Sequence, residues 1–216
     1  MSTRQDAPQT KATKARSKRG STRTDMLMSA AQVMRERGAA GVTIDEVLAR
    51  SGAPRGSVYY HFPGGRNQIL AEALRWAGDA ITESIDSAVD RGALALVRGF
   101  TRFWERALQE SDYGAGCPVV AAAIGSDADE TQLAAIATEI FERWRDALAR
   151  AFVSDGFDAA EAQSLAVTCI ASLEGAVVLC RLLRNAEPLR QVVTQMEFLI
   201  KSREFIRRYG VPTVDH

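Results

Sequence analysis

The run from Gly41 to Phe62 leaves the chain few ways to fold. In Gly41-Val42-Thr43-Ile44-Asp45-Glu46, Thr43 can accept from the free N–H groups of a helix start, and Glu46 can reach back as the other half of a capping box. A short helix to about Ser51 follows, and Gly52 ends it. Pro54 then stands where a first helical turn accepts proline, opening a second short helix through Arg55-Gly56-Ser57-Val58-Tyr59-Tyr60-His61-Phe62. Two short helices joined by a tight glycine-containing turn make a helix-turn-helix. Upstream, Thr24-Asp25 precede Met26, Leu27, Ala30, Ala31, Val33 and Met34 at helical spacing, with a stop at Gly38, so the pair has an amphipathic helix to pack on.

The second short helix has the chemistry of a recognition helix. Arg55 can fork onto guanine O6 and N7, Ser57 can meet a base edge or a phosphate, and Gly56 has no side chain to hold the backbone out of a groove. Tyr59, Tyr60 and His61 supply donors toward phosphates, and burying all three together would be costly. Val58 and Phe62 belong to the core and point at the first helix. Ser57 and His61, four residues apart, share the face near Arg55, so polar and apolar sets separate.

Charge is segregated along the 216 residues although the net charge is zero. Residues 1 to 75 hold 13 Lys or Arg against 6 Asp or Glu, a net +7, and the remainder carries −7. One end is built to meet an anion. Residues 1 to 21 read as a basic arm too polar to fold, serving either nucleic-acid contact or solubility. The composition, 46% hydrophobic and 25% charged, is that of a globular chain. The longest apolar stretch, Ala166 to Leu183, is broken by Glu174 and Arg181 and falls short of the roughly 20 residues of a membrane span. No apolar segment follows the basic start, so a cytoplasmic protein without a membrane partner is expected.

The segment Gly41-Val42-Thr43-Ile44-Asp45-Glu46-Val47-Leu48 through Gly52-Ala53-Pro54-Arg55-Gly56-Ser57-Val58-Tyr59-Tyr60-His61-Phe62, with its upstream helix, resembles the DNA-binding domain of TetR-family transcriptional regulators over roughly Thr22 to Leu74. The resemblance implies a phosphate contact at Thr43 and a DNA-facing set of Arg55, Gly56, Ser57, Tyr59, Tyr60 and His61. Where common members follow His-Phe with a short turn and a lysine, this chain reads Pro63-Gly64-Gly65-Arg66-Asn67, so Arg66 is expected in the lysine's place. Two later stretches, Gly116-Cys117-Pro118-Val119-Val120-Ala121-Ala122-Ala123 and Ala171 to Arg181, are similar to the C-terminal domains of the LmrA/YxaF-like branch. That similarity implies a small-molecule pocket and dimerisation through the last two long helices.

Beyond the first domain, periodicity predicts helices near 65–90, 93–111, 117–125, 129–154, 158–185 and 188–208, with Asp158 capping one and Pro188 in the first turn of another. Phe100, Phe103 and Trp104 share one face, Phe141 and Trp144 another, and Ala121 to Ala123 leave room between them. These aromatics fit either a ligand cavity or plain core. Glu174, alone in the most apolar helix, requires a partner: an arginine such as Arg181, within the chain or across a dimer, or a bound ligand. Cys117 and Val178 lie within the two stretches that carry the second resemblance and complete the expected ligand set. Cys169 and Cys180, 11 residues apart on one helix, are separated by roughly 16 Å of rise and cannot bond within one chain. A reactive thiolate at Cys117, near a helix start, is the alternative to three inert cysteines.

No phosphate-binding, dinucleotide-binding or nucleophile-elbow motif occurs, and His61 and His216 are the only histidines, so neither an enzyme nor a metal or cofactor site is expected. An architectural DNA-binding protein would explain the first domain equally well, but not so large an acidic remainder. The resulting expectation is an all-α fold with a basic arm (1–21), a helix-turn-helix domain (22–75) and a helical ligand-binding and dimerisation domain (76–210). Its partners would be a palindromic operator, a second copy of the chain and a small hydrophobic or aromatic effector, and its action that of a ligand-released repressor.

Overall fold

The computed structural model describes residues 9–125 and 131–210, with side chains at 22–125 and 132–210. These residues form α1 (Gln9–Arg37), a single 3-10 turn (Ala39–Gly41), α2 (Ile44–Ser51), α3 (Ser57–His61), α4 (Gly65–Val89), α5 (Ala93–Glu110), α6 (Pro118–Ile124), α7 (Thr131–Ser154), α8 (Ala159–Leu183) and α9 (Glu187–Tyr209). No strand occurs among the described residues.

Two starts differ from the sequence reading. The α1 backbone is helical from Gln9, where composition predicts an unstructured arm to residue 21 and a first helix at Thr24. Ala, Lys, Arg and Gln are good helix formers, and extending an existing helix needs no new nucleus. Residues 1–8, and the side chains of the basic residues Lys11, Lys14, Arg16, Lys18 and Arg19, lie outside the described residues. Helix α3 begins at Ser57 rather than Pro54, because Pro54 and Arg55 form the turn that the Ser57 N–H closes onto the Pro54 carbonyl at 2.9 Å.

Apolar spacing decides what each helix buries. Met26, Ala30, Val33 and Met34 of α1 meet Val47 of α2, Val58 of α3 and Ile69, Leu70 and Leu74 of α4 in one core. Helix α4 continues unbroken past residue 75 into the second half, where Ile81 and Ile85 join Leu96, Trp104, Trp144, Phe152 and Leu173 in the same cluster. It runs against α7 so closely that a Cβ on Gly78 would stand 2.4 Å from Ile140 Cδ1. Beside that contact Trp144 Nε1 donates to Thr82 Oγ1 at 3.0 Å, and Thr82 donates to the Gly78 carbonyl at 2.7 Å. Arg98 of α5 forks onto Glu197 of α9 at 2.6 and 2.7 Å, and holds that carboxyl at about 2, well below the usual range.

Helix α8 starts earlier than its apolar stretch, because Asp158 caps it by accepting from Ala160 and Glu161 N–H at 3.0 and 2.9 Å. It has 25 residues, and an 18-residue window within it has mean hydropathy 1.8, so by length and composition alone it is long and apolar enough to cross a membrane, where the sequence reading gave a stretch too short to do so. In the fold one face of α8, Leu165, Cys169, Leu173 and Val177, is buried against neighbouring helices.

Candidate nucleic-acid interface and ligand region

Local chemistry fixes the helix-turn-helix. Thr43 is extended (φ −110°, ψ 157°) and its Oγ1 accepts from Glu46 N–H at 3.1 Å, which caps α2. The Glu46 carboxylate makes the other half of no box. It accepts from Arg50 Nε at 2.8 Å, while Arg50 also reaches Glu36 of α1 at 2.8 Å and holds that carboxyl below its usual range. Gly52 closes α2 in the left-handed region (φ +64°), a conformation that costs any residue with a Cβ.

Helix α3 is only five residues long, so its orientation comes from two anchors, Val58 and Phe62, both fully buried. Arg23 of α1 stacks over the Phe62 ring at 5.0 Å and pairs with Glu72 of α4, clamping the helix from outside the core. The opposite face is open. Tyr59 and Tyr60 are 64% and 66% exposed, and His61 sits half-buried with its ring edge-on to Tyr60 at 5.0 Å. Gly56, at φ −69°, has nothing within 4 Å of where a Cβ would stand, so the protein's own packing does not require glycine there. The Ser57 hydroxyl donates to the Pro54 carbonyl and keeps its lone pairs for an outside donor. Arg55 is exposed and pairs with Asp45 at 3.0 Å, an exchangeable surface contact. The structure thus brings Thr43, Arg55, Gly56, Ser57, Tyr59, Tyr60 and His61 to one end of the molecule.

Arg66 departs from the expectation. Its Nε donates to the Val42 carbonyl at 2.7 Å and its Nη2 to the Ala39 carbonyl at 2.8 Å, so the guanidinium turns inward and clasps the turn before α2. The Ala39 carbonyl also closes the 3-10 turn by accepting from Val42 N–H at 3.0 Å, so Arg66 adds a second, charged donor to it.

In the second half the expected ligand residues divide. Phe100 and Trp144 are packed edge to face at 6.4 Å and, with Leu96, Val97, Leu148 and Leu173, surround a small apolar cavity of about 10 Å³. Phe141 stacks edge-on against Trp144 at 5.2 Å. Phe100 and Trp144 thus line a small cavity inside the bundle, and Phe141 packs on Trp144 at its edge. Phe103 and Trp104, by contrast, line a cavity of about 280 Å³ between α1, α4, α5 and α6. Ala121 is half-buried on α6, and Val178, 45% exposed, lines neither of these two cavities.

Glu174 and Cys117 are buried together. Neither Glu174 oxygen has a hydrogen-bond partner, and burial raises its carboxyl to about 7, the neighbouring Cys117 thiol acting slightly the other way. Arg181, the partner that sequence suggested, instead donates to the Glu36 and Gly114 carbonyls at 3.1 and 3.0 Å. Burial likewise pushes the Cys117 thiol well up, which removes the reactive thiolate; Cys169 and Cys180 are buried free thiols. Among the described residues no group of three or more His, Cys, Asp or Glu side chains is placed to hold a metal. Sequence reasoning missed Arg35, whose Nε donates to Gly116 O at 3.1 Å across 81 residues of chain. Only its place on the α1 face next to Ala31 hinted at a role.

Comparison with known proteins agrees with this geometry. Residues 27–73 match the model of the bacterial regulatory proteins of the tetR family, and residues 93–195 match the C-terminal domain of LmrA/YxaF-like transcriptional regulators. An uncharacterised HTH-type transcriptional regulator of Mycobacterium tuberculosis is 39% identical over 183 residues, covering 82% of this chain and 93% of its own. The HTH-type transcriptional repressor DhaR of Mycobacterium sp. strain GP1 is 26% identical, covering 85% and 95%. Among solved structures, a TetR transcriptional regulator from Chloroflexus aurantiacus superposes with a TM-score of 0.71 at 25% identity, covering 86% of this chain and 96% of that one.

Proposed function

The chain belongs to the TetR family of bacterial regulatory proteins and carries a C-terminal domain of the LmrA/YxaF-like kind, and from that premise we propose that it is a cytoplasmic homodimeric repressor. It grips a palindromic operator and releases it when a small hydrophobic or aromatic effector binds. The observation that carries the DNA reading is α3: anchored by Val58 and Phe62, it offers Tyr59, Tyr60 and an open Gly56 backbone to a groove. Thr43, Arg55, Ser57 and His61 complete the proposed contact set, and Arg66, held by two backbone carbonyls, is given a structural role instead. In this reading the helix-turn-helix unit spans 22–75 and shares α4 with the effector and dimerisation unit, 76–210.

A second copy is the occupant proposed for α8 and α9. Their outer faces leave Val178, Leu182 (74% exposed), Phe198 (69%), Phe205 and Tyr209 uncovered, and a groove of about 610 Å³ runs between them past Thr168, Gln195 and Leu199. Apolar exposure on this scale marks an interaction surface. Two copies joined there would present two α3 helices, and successive major grooves lie about 34 Å apart. An effector that prefers a dimer with another α3 spacing releases DNA by population shift; about 100-fold differential affinity, about 2.7 kcal/mol, makes a useful switch.

The test is selection of the purified full chain against random duplex DNA, then anisotropy titration of the enriched site at two salt concentrations. An enriched palindrome with nanomolar, salt-sensitive affinity is the expected result. Enrichment of no sequence over bulk DNA would overturn the operator reading in favour of an architectural DNA-binding role.

A further inference from the structure

Among the described residues, four buried side-chain polar atoms lack a hydrogen-bond partner: Arg35 Nη2, Trp104 Nε1 and both oxygens of Glu174. All stand around one turn, Gly116-Cys117-Pro118, between α5 and α6. Arg35 of α1 and that turn hold each other twice, Arg35 Nε to Gly116 O at 3.1 Å and Gly116 N–H to Arg35 O at 2.9 Å. Trp104 shares its cavity with Arg35 and Pro118, and Glu174 lies against Cys117.

The cavity of about 280 Å³ sits at the junction of the DNA-binding end with the bundle, near the small end of the range for ligand sites. Its walls are apolar and flat: Met28 of α1, Trp76 and Ile81 of α4, Phe103 and Trp104 of α5, and Pro118 of α6. Its polar lining is Arg35 and the Gln32 amide, whose Nε2 donates to Glu36 and whose Oε1 accepts from Arg35. Trp104 is 1% exposed, and its orphaned indole N–H can only donate. Arg35 donates to Gly116 O and Gln32 Oε1, and the adjacent Arg181 to two backbone carbonyls. Every one of those acceptors is neutral. Of the carboxylates near Arg35, Glu36 is taken by Arg50, and Glu110 is exposed at the end of α5. One lining guanidinium with no anion bonded to it and an unpartnered indole N–H, beside an aromatic slot, fit an aromatic acid.

We propose that this junction cavity is the effector site and that it takes a small aromatic carboxylate, the ring between Trp76, Phe103 and Trp104 and the carboxylate on Arg35 and the Trp104 indole N–H. The proposal rests on the reading of the chain as an effector-responsive regulator and narrows the effector's class and place. A ligand seated there competes with Gly116 O for Arg35 and stands between α1 and the bundle. The carrier of α2 and α3 then shifts directly, with no signal relayed from the middle of the bundle.

The test uses 2-naphthoate and its neutral analogue 2-naphthalenemethanol, titrated calorimetrically into the full chain. One naphthoate per chain is expected, bound at least 10-fold tighter than the alcohol. Trp104→Phe, which keeps the ring and loses the donor, and Arg35→Gln should each weaken naphthoate at least 10-fold and leave the alcohol within 3-fold. If Arg35→Gln melts well below wild type, the Trp104→Phe comparison alone decides. Absence of naphthoate binding at millimolar concentration, or unchanged affinity in Trp104→Phe, would overturn the proposal. Operator anisotropy is read separately: naphthoate that binds with these mutational effects but leaves operator affinity unchanged keeps the site and overturns effector release.

Discussion

Burial holds the Glu174 carboxyl at about 7 against an ordinary 4.5, so between those pH values the folded chain keeps a proton that the unfolded chain has released. The stabilisation is complete below the unfolded value and is lost as pH rises through the folded one, about 3 kcal/mol in all. Glutamine mimics the protonated form. Wild type and Glu174→Gln are therefore expected to melt together near pH 4.5 and to separate at pH 8, the variant higher by several degrees. A gap that does not open, measured by calorimetry on the full chain, would mean that a cation compensates the buried carboxylate. At the opposite end of the molecule, Gly56 has open space where a Cβ would stand and an ordinary helical φ. Gly56→Ala should leave the melting temperature within a degree and weaken operator affinity by roughly 10-fold, because the methyl meets only DNA. Tyr60→Ala should do the same through a lost phosphate contact; either variant binding like wild type removes that residue from the interface.

Among the elements, the turn before α2 depends on a residue 24 positions away. Arg66 gives the Val42 carbonyl a charged donor and the Ala39 carbonyl a second donor beside the Val42 N–H. Arg66→Met, which keeps the stem and removes the donors, should destabilise the chain by about 1–3 kcal/mol. A guanidinium bound to DNA backbone would behave otherwise. Its loss would leave the melting temperature alone and lower the slope of log affinity against log salt by about 1. Thermal melts and salt titrations on one variant separate the two roles. The same logic explains why Glu46 does not close the capping box: Arg50 on its own helix and Glu36 on α1 form a network that engages its carboxylate first.

At the scale of the whole molecule, the uncovered apolar faces of α8 and α9 and the DNA reading are one question, since a single α3 of five residues has too few contacts for a long operator. Phe198→Asp places a charge in the middle of the α9 face. It should convert a dimer to a monomer in sedimentation velocity, lower operator affinity by 100-fold or more, and leave the helical content unchanged. A variant that stays dimeric would move the interface elsewhere. One face of α8 lies in the bundle, while Val167, Val178, Leu179 and Leu182 leave its other face apolar and exposed.

The helix count, the order of the elements and the caps at Thr43 and Asp158 were legible in the sequence, because apolar periodicity and capping act over a few residues and need no tertiary partner. So was the division of α3 into a buried pair, Val58 and Phe62, and an open pair, Tyr59 and Tyr60. What the sequence left open was the destination of each long polar side chain. Arg66 reaches a turn 24 residues back, Arg181 the carbonyls of Glu36 and Gly114, and Arg35 a turn 81 residues ahead. Which aromatics line the smaller cavity and which the larger was equally open, since Phe100 and Phe103 share a face and differ only in the helices opposite them. Local propensity depends on neighbours in the chain, whereas a guanidinium or a ring chooses among acceptors and walls that exist only once the helices are packed.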